Sequence, residues 1–336
     1  MNKIKSILIM GIFFASIFMI LNPVSAATYN VNPGDDIEAI IGSALSGDTI
    51  YVHAGTYLVD EITLNADNIT IIGDDPYTTI IDVSSGGDEG IDGVGRDYIT
   101  VKNITVKNAN NDGIDVNRYS VIENCIVYAS GDNGFEVDNY STLTNCISYD
   151  NGADGFEVYD YCTLKNCLSY DNSTDGFADN GHCTYINCTA VNNSANGFGD
   201  VGGGTKVTNC IAVGNVDGFD IENVTNPSEI TYSNAWNNTG NNYDEAPAGT
   251  GSISVDPKFV NGIDTFYLSV GSPCVDKGSE SSATLGLYNG FTTRIDGIWD
   301  KGTVDMGFHY ASNRGPSSSL PIAKILDILK GNQDNE

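Results

Sequence analysis

The segment Asp154-Gly155-Phe156-Glu157-Val158-Tyr159-Asp160-Tyr161-Cys162-Thr163-Leu164-Lys165-Asn166-Cys167-Leu168-Ser169-Tyr170 recurs, with variation, every 21 residues through the middle of the chain. Its glycine returns at Gly113, Gly134, Gly155, Gly176, Gly197 and Gly218, each after Asp or Asn and before Ile or Phe. An Asn-Cys pair recurs at Asn124-Cys125, Asn145-Cys146, Asn166-Cys167, Asn187-Cys188 and Asn209-Cys210. A period this short is too small for a two-helix repeat and fits one coil of a solenoid. Within the period lie three short apolar or β-branched runs separated by Gly, Asn and Asp, which read as three strands and three turns. Each coil returns the chain to the same column, so parallel strands need no crossover helix. The reading is an all-β, right-handed parallel β-helix.

Working outward, residues 109–243 are the regular section. Residues 27–108 hold the first, irregular coils, with strands expected at 49–52, 62–64, 69–72, 79–81, 99–101 and 104–106. Ile37, Ile40, Ile41, Ala44 and Leu45 at helical spacing behind Asp35 and Asp36 predict a capping helix over 36–45. Such a helix would cover the open end of the solenoid. Residues 244–310 lose the period and form a C-terminal module. The tail 311–336 carries Ile322, Ile325, Leu326 and Leu329 at helical spacing, as a docking helix or a weak surface contact.

Residues 1–26 read as a secretory signal: Lys3 and Lys5, an apolar stretch over 7–21, then Val24-Ser25-Ala26 as the cleavage site. The chain is therefore expected to be secreted or held at the cell surface, with no transmembrane helix in its mature form. The formal charge is −29, and losing Lys3 and Lys5 makes it two units more negative. A polyanion repels nucleic acid and anionic lipid, so the expected partner is neither. Secretion with eight cysteines suggests disulfides. Against that, five share one repeat position, and Cys162 and Cys183 share another. They read as small buried residues of a ladder, with disulfides the alternative. Eight Asn-x-Ser/Thr sequons, several expected by chance, allow glycosylation without requiring it.

Two aromatic columns run along the repeat. Tyr128, Tyr149 and Tyr170 share one position; Tyr119, Tyr140, Tyr161 and His182 share another. Such stacks pack against each other or bind sugar rings, and Tyr128, Tyr149 and Tyr170 are the substrate-binding candidates. The repeated Asn fits an inward ladder of amides.

Two further columns are acidic. Before the glycine stand Glu89, Asp112, Asn133, Asp154, Asp175, Asn196 and Asp217; two residues after it stand Asp92, Asp115, Glu136, Glu157, Ala178, Gly199 and Asp220. Strand alternation turns both positions outward if the intervening Phe points in. Carboxylates one coil apart repel, at about 3 kcal/mol per ionised pair for a 5 Å separation and an effective dielectric near 20. Protons, solvent or a cation must offset this. Hard oxygen ligands on adjacent strands suit Ca²⁺, and the metal candidates are Asp112, Asp115, Asp154, Glu157 and Asp175.

The strings Asp154-Gly155-Phe156, Asp175-Gly176-Phe177 and Asn196-Gly197-Phe198 resemble coils of the family-nine pectate lyases. The resemblance covers residues 109–243. It implies a calcium site built from a DG coil and a DDGxD coil, and a lysine base in the next NGFK. This chain matches at Asp154 and Asp175, has Thr174 and Ala178 where the family has Asp, and has Gly199 where the lysine would stand. None of these coils carries Lys or Arg at that position. Arg118, Lys165, Lys206 and His182 are the other candidate bases, and none occupies the family's place. No residue is therefore assigned as catalytic. The segments Asp256-Pro257-Lys258-Phe259-Val260 and Val304-Asp305-Met306-Gly307-Phe308-His309-Tyr310 resemble the closing part of secreted β-helix proteins of bacteria and archaea.

The expectation is a secreted or surface protein, a monomer, that binds calcium and acidic polysaccharide or envelope glycan without catalysis. Alternatives are a calcium-dependent lyase with another base, and a structural envelope or adhesion protein.

Overall fold

The computed structural model describes residues 25–200, 203–221, 229–244, 247–260 and 265–312. The expected leader falls outside these except for Ser25 and Ala26, and so does the tail beyond residue 312.

Three parallel sheets, of ten, nine and nine strands, wind into a β-helix. In each coil the chain makes a strand such as Phe156–Val158, then one such as Thr163–Lys165, then one such as Leu168–Tyr170. We call these the acidic, threonine and tyrosine sheets. Their registers pair like with like: Phe135 with Phe156, Leu143 with Leu164, Tyr149 with Tyr170. The six-residue helix Ile37–Gly42 is a minor element, shorter than the 36–45 span expected. The Asp36 side chain caps it by accepting the Ala39 N–H at 3.0 Å, and Ile37 and Ile41 reach the core.

Strand alternation sorts the side chains. Phe135, Phe156, Phe177, Phe198 and Phe219 are fully buried, and neighbouring rings stack with centroids 4.7–5.0 Å apart. Offset stacking of this kind adds to the area each ring buries. All eight cysteines are free and buried. Cys125, Cys146, Cys167 and Cys188 each point their thiol at a carbonyl one coil earlier, at 3.5–3.7 Å.

The repeat glycine is required by space. A Cβ at Gly155 would lie 2.0 Å from Ser169 Oγ and 2.7 Å from Asn172 Nδ2. Those two groups belong to a buried polar column that the sequence reading missed. Asn151, Asn172 and Asn193 each donate Nδ2 to the next coil's Asn Oδ1 at 2.9–3.0 Å, and Ser148 and Ser169 take a second bond. This column, running through Asn215, is the interior amide ladder.

The Asn of the Asn-Cys pair does something else. Asn124, Asn145, Asn166, Asn187 and Asn209 all adopt φ of 53–59° at the corner between the threonine and tyrosine sheets. Asn tolerates this left-handed conformation better than most residues. Asn124 Nδ2 reaches Asn103 Oδ1, and Asn166 Nδ2 reaches Asn145 Oδ1, both at 2.8 Å. The amides therefore do bond along the column, but the column lies outside the core. Its later members are buried only because the C-terminal segment covers them: Asn166 exchanges two bonds with the His309 backbone, and Asn187 donates to Asp305 O.

The same segment overturns the expected role of Tyr128, Tyr149 and Tyr170. Their rings are 6 %, 1 % and 2 % exposed, in a cluster with Tyr267, Phe308 and Tyr310. With both ring faces stacked or covered, no sugar can reach them.

Candidate metal and glycan site

The acidic sheet sets the two acid columns side by side. Register places Asp92, Asp115, Glu136, Glu157, Ala178, Gly199 and Asp220 in one outward row. The row before the glycine serves the backbone. Asp112 Oδ1 accepts the Asn133 N–H at 2.9 Å, Asn133 Oδ1 the Asp154 N–H at 3.0 Å, Asp154 Oδ1 the Asp175 N–H at 2.8 Å, and Asp175 Oδ1 the Asn196 N–H at 2.6 Å. Asp and Asn share this acceptor geometry, which explains why they interchange here. A carboxylate there keeps its second oxygen free for another partner.

Of the five metal candidates, the structure groups Asp112 and Asp115, with Glu136 as the third member. One carboxylate oxygen from each lies within 4.8 Å of the other two. Glu136 stands in the row read from sequence but outside the chosen five. Burial, with Glu136 as the leading charged neighbour, pushes the Asp115 carboxyl up to about 8. Burial likewise takes Asp112 up to about 7, against the lowering effect of the Asn133 N–H.

Asp154, Glu157 and Asp175 are not grouped with them. Asp154 also accepts the Thr174 hydroxyl, and burial holds its carboxyl above the ordinary range. Glu157 accepts from Asn133 Nδ2 at 2.7 Å and is raised by burial and then by Glu136. Asp175 is pushed up to about 7 by burial, with Asp154 and Asp220 adding to the effect. Its carboxylate lies beside Gly199: a Cβ there would fall 2.6 Å from Asp175 Oδ2. The position where the resemblance asks for a lysine thus has no side chain, and one placed there would have to displace the Asp175 carboxylate.

The donor set fits a hard divalent cation. Three carboxylates converge, burial disfavours their simultaneous ionisation, and no Lys or Arg is paired with them among the described residues. Asp112, Asp115 and Glu136 would hold the ion. Calcium prefers six to eight oxygens, so solvent or a ligand carboxylate would complete the shell. The exposed aromatic column stands at the corner where acidic strands lead into threonine strands. Tyr98, Tyr119, Tyr140 and Tyr161 stack at 5.1–5.3 Å and are exposed, Tyr161 by 48 %. His182 ends this stack against Tyr161, as a stacked ring.

The family described as the Pel9A-like, right-handed β-helix region matches residues 22–245. Among solved structures, pectate lyase Pel9A is 18% identical, with a TM-score of 0.55 over 85% of this chain and 96% of that one. An alginate lyase from Paenibacillus sp. str. FPU-7 is 14% identical, with a TM-score of 0.48 over 62% of this chain and 87% of that one. The A-module of Azotobacter vinelandii mannuronan C-5 epimerase AlgE6 is 15% identical, with a TM-score of 0.47 over 63% of this chain and 73% of that one. No curated protein sequence matches. The chain belongs to the Pel9A-like right-handed β-helix family.

Proposed function

We propose that this protein is a secreted or surface β-helix that binds acidic polysaccharide through calcium on its acidic sheet and does not carry out β-elimination. The observation behind it is the convergence of Asp112, Asp115 and Glu136 in a row that carries no cationic side chain from Asp92 to Asp220. Calcium would relieve the repulsion among these carboxylates and present open coordination positions to uronate carboxylates. Polysaccharide lyases and an epimerase among proteins of similar fold support a glycan as the ligand class.

The missing base carries the second half of the proposal. β-Elimination needs a group that removes a carbon-bound proton beside the metal-bound carboxylate. Gly199 cannot, and Lys165 and Lys206 stand on the threonine sheet, away from the acidic face. The test is incubation with polygalacturonate and other polyuronates in millimolar calcium. Calcium-dependent binding without unsaturated uronate ends supports the proposal; unsaturated ends that disappear on changing one residue of this chain would identify a lyase instead.

A further inference from the structure

The acids of the outward row are not equivalent, because two amides of the row before the glycine each reach one of them. Asn133 Nδ2 donates to Glu157 Oε2 at 2.7 Å, and Asn196 Nδ2 donates to Asp220 Oδ2 at 3.1 Å. Both contacts span 24 residues, so one device is used twice. An aspartate at either place could accept the next coil's N–H equally well but would have no N–H to offer the acid. Asp92 is engaged by its own turn, its Oδ1 accepting the Val94 N–H at 2.9 Å. Asp115 and Glu136 escape this arrangement: Glu136 keeps only a 3.5 Å contact with Asn133 Nδ2, and the Asp115 carboxyl has no hydrogen bond among the described residues.

Glu136 is held instead by a tyrosine. The Tyr159 hydroxyl donates to Glu136 Oε1 at 3.2 Å. Neighbouring coils carry Asn117, Asp138 and Asn180 at the same place, so the fold itself does not call for an aromatic there. The backbone of Tyr159 is pinned on both sides: its N–H donates to Val137 O at 3.0 Å, and its carbonyl accepts the Cys183 thiol at 2.9 Å. The phenol thus reaches Glu136 from a fixed anchor. A carboxylate held in this way has already lost the rotamer freedom that an ion would otherwise have to freeze.

We propose that Tyr159 and Asn133 are positioning residues that confine a bound cation to the Asp112–Asp115–Glu136 group, Tyr159 by holding Glu136 toward it and Asn133 by holding Glu157 out of it. The inference rests on the calcium reading above and adds to it the number of ions and the residues that fix that number. It accounts for the grouping itself: Glu157 stands one coil from Glu136 in the same row, yet its carboxylate does not join the three.

Equilibrium dialysis of calcium alone against the full chain, in about 0.15 M salt to screen loosely held ions, counts the ions and gives their affinity. The wild type should hold one ion tightly. Tyr159→Phe keeps the ring and deletes the hydroxyl, and should weaken that ion about tenfold, as loss of an outer-shell partner does. Asn133→Asp keeps the acceptor for the Asp154 N–H and frees Glu157, and should raise the count to two. Melting temperatures separate positioning from folding: Tyr159→Phe should match the wild type in chelator and fall below it in calcium. Unchanged affinity in Tyr159→Phe, a single ion in Asn133→Asp, or a melting temperature lowered equally in chelator and in calcium overturns the inference and leaves the calcium reading standing. A wild type that takes up no calcium overturns both.

Discussion

Replacing Asp115 by Asn should stabilise the calcium-free protein at pH 8 and should do much less at pH 4.5. The Asp115 carboxyl has no hydrogen bond among the described residues, and burial with Glu136 and Asp112 pushes it from 3.8 up to about 8. An acid raised in this way stays protonated in the folded chain after the unfolded chain has ionised. The folded state then holds more protons, and stability falls as pH rises from about 4 to about 8. The full shift of about four units corresponds to ~6 kcal/mol as a ceiling at 1.36 kcal/mol per unit. Asp115 is only half-buried and shares the effect with its neighbours, so solvent screening brings the expectation down to ~2 kcal/mol. For a chain of this size that raises the melting temperature by about 4 °C. The assay is thermal unfolding in chelator at both pH values, repeated in millimolar calcium. Calcium should stabilise the wild type by ~3 kcal/mol at a hundred times its dissociation constant, and the variant by much less. A variant that is less stable than wild type at pH 8 in chelator, or equally stabilised by calcium, would refute the reasoning.

Other outcomes follow from the packing. Gly199→Ala should cost up to ~1 kcal/mol by pushing the Asp175 carboxylate aside, and the cost should vanish in an Asp175→Ala background, as a double-mutant cycle of chemical melts would read. Asn172→Ala should cost ~2–5 kcal/mol, because buried donors of Asn151 and its backbone lose their acceptor. The eight thiols should resist alkylation in the native protein and all react once it is unfolded, with no change in melting temperature on adding reductant.

The 21-residue period made the solenoid legible, because in-register stacking forces like residues into columns. It exposed the Phe and Cys columns and the acidic rows for the same reason. The period could not tell a residue facing the core from one at a left-handed corner. The Asn of Asn-Cys therefore read as the interior ladder, while Asn151, Asn172 and Asn193 passed as turn punctuation. Their one usable signal was a 21-residue spacing of their own, with Ser three residues earlier at Ser148 and Ser169. The burial of Tyr128, Tyr149 and Tyr170 depends on residues far downstream, such as Phe308 and Tyr310, which no local pattern reveals. The grouping of Glu136 with Asp112 and Asp115 spans adjacent coils, and only side-chain reach, absent from the sequence, selects it.

Calorimetric titration of oligogalacturonate into the protein in millimolar calcium, with a parallel titration in chelator, tests the central claim most directly. Saturable heat in calcium, no heat in chelator, loss of the heat in Asp112→Asn/Asp115→Asn, and full-length oligosaccharide recovered afterwards are the predicted result. Binding that persists in chelator, or recovery of cleaved oligosaccharide with unsaturated ends, would contradict it.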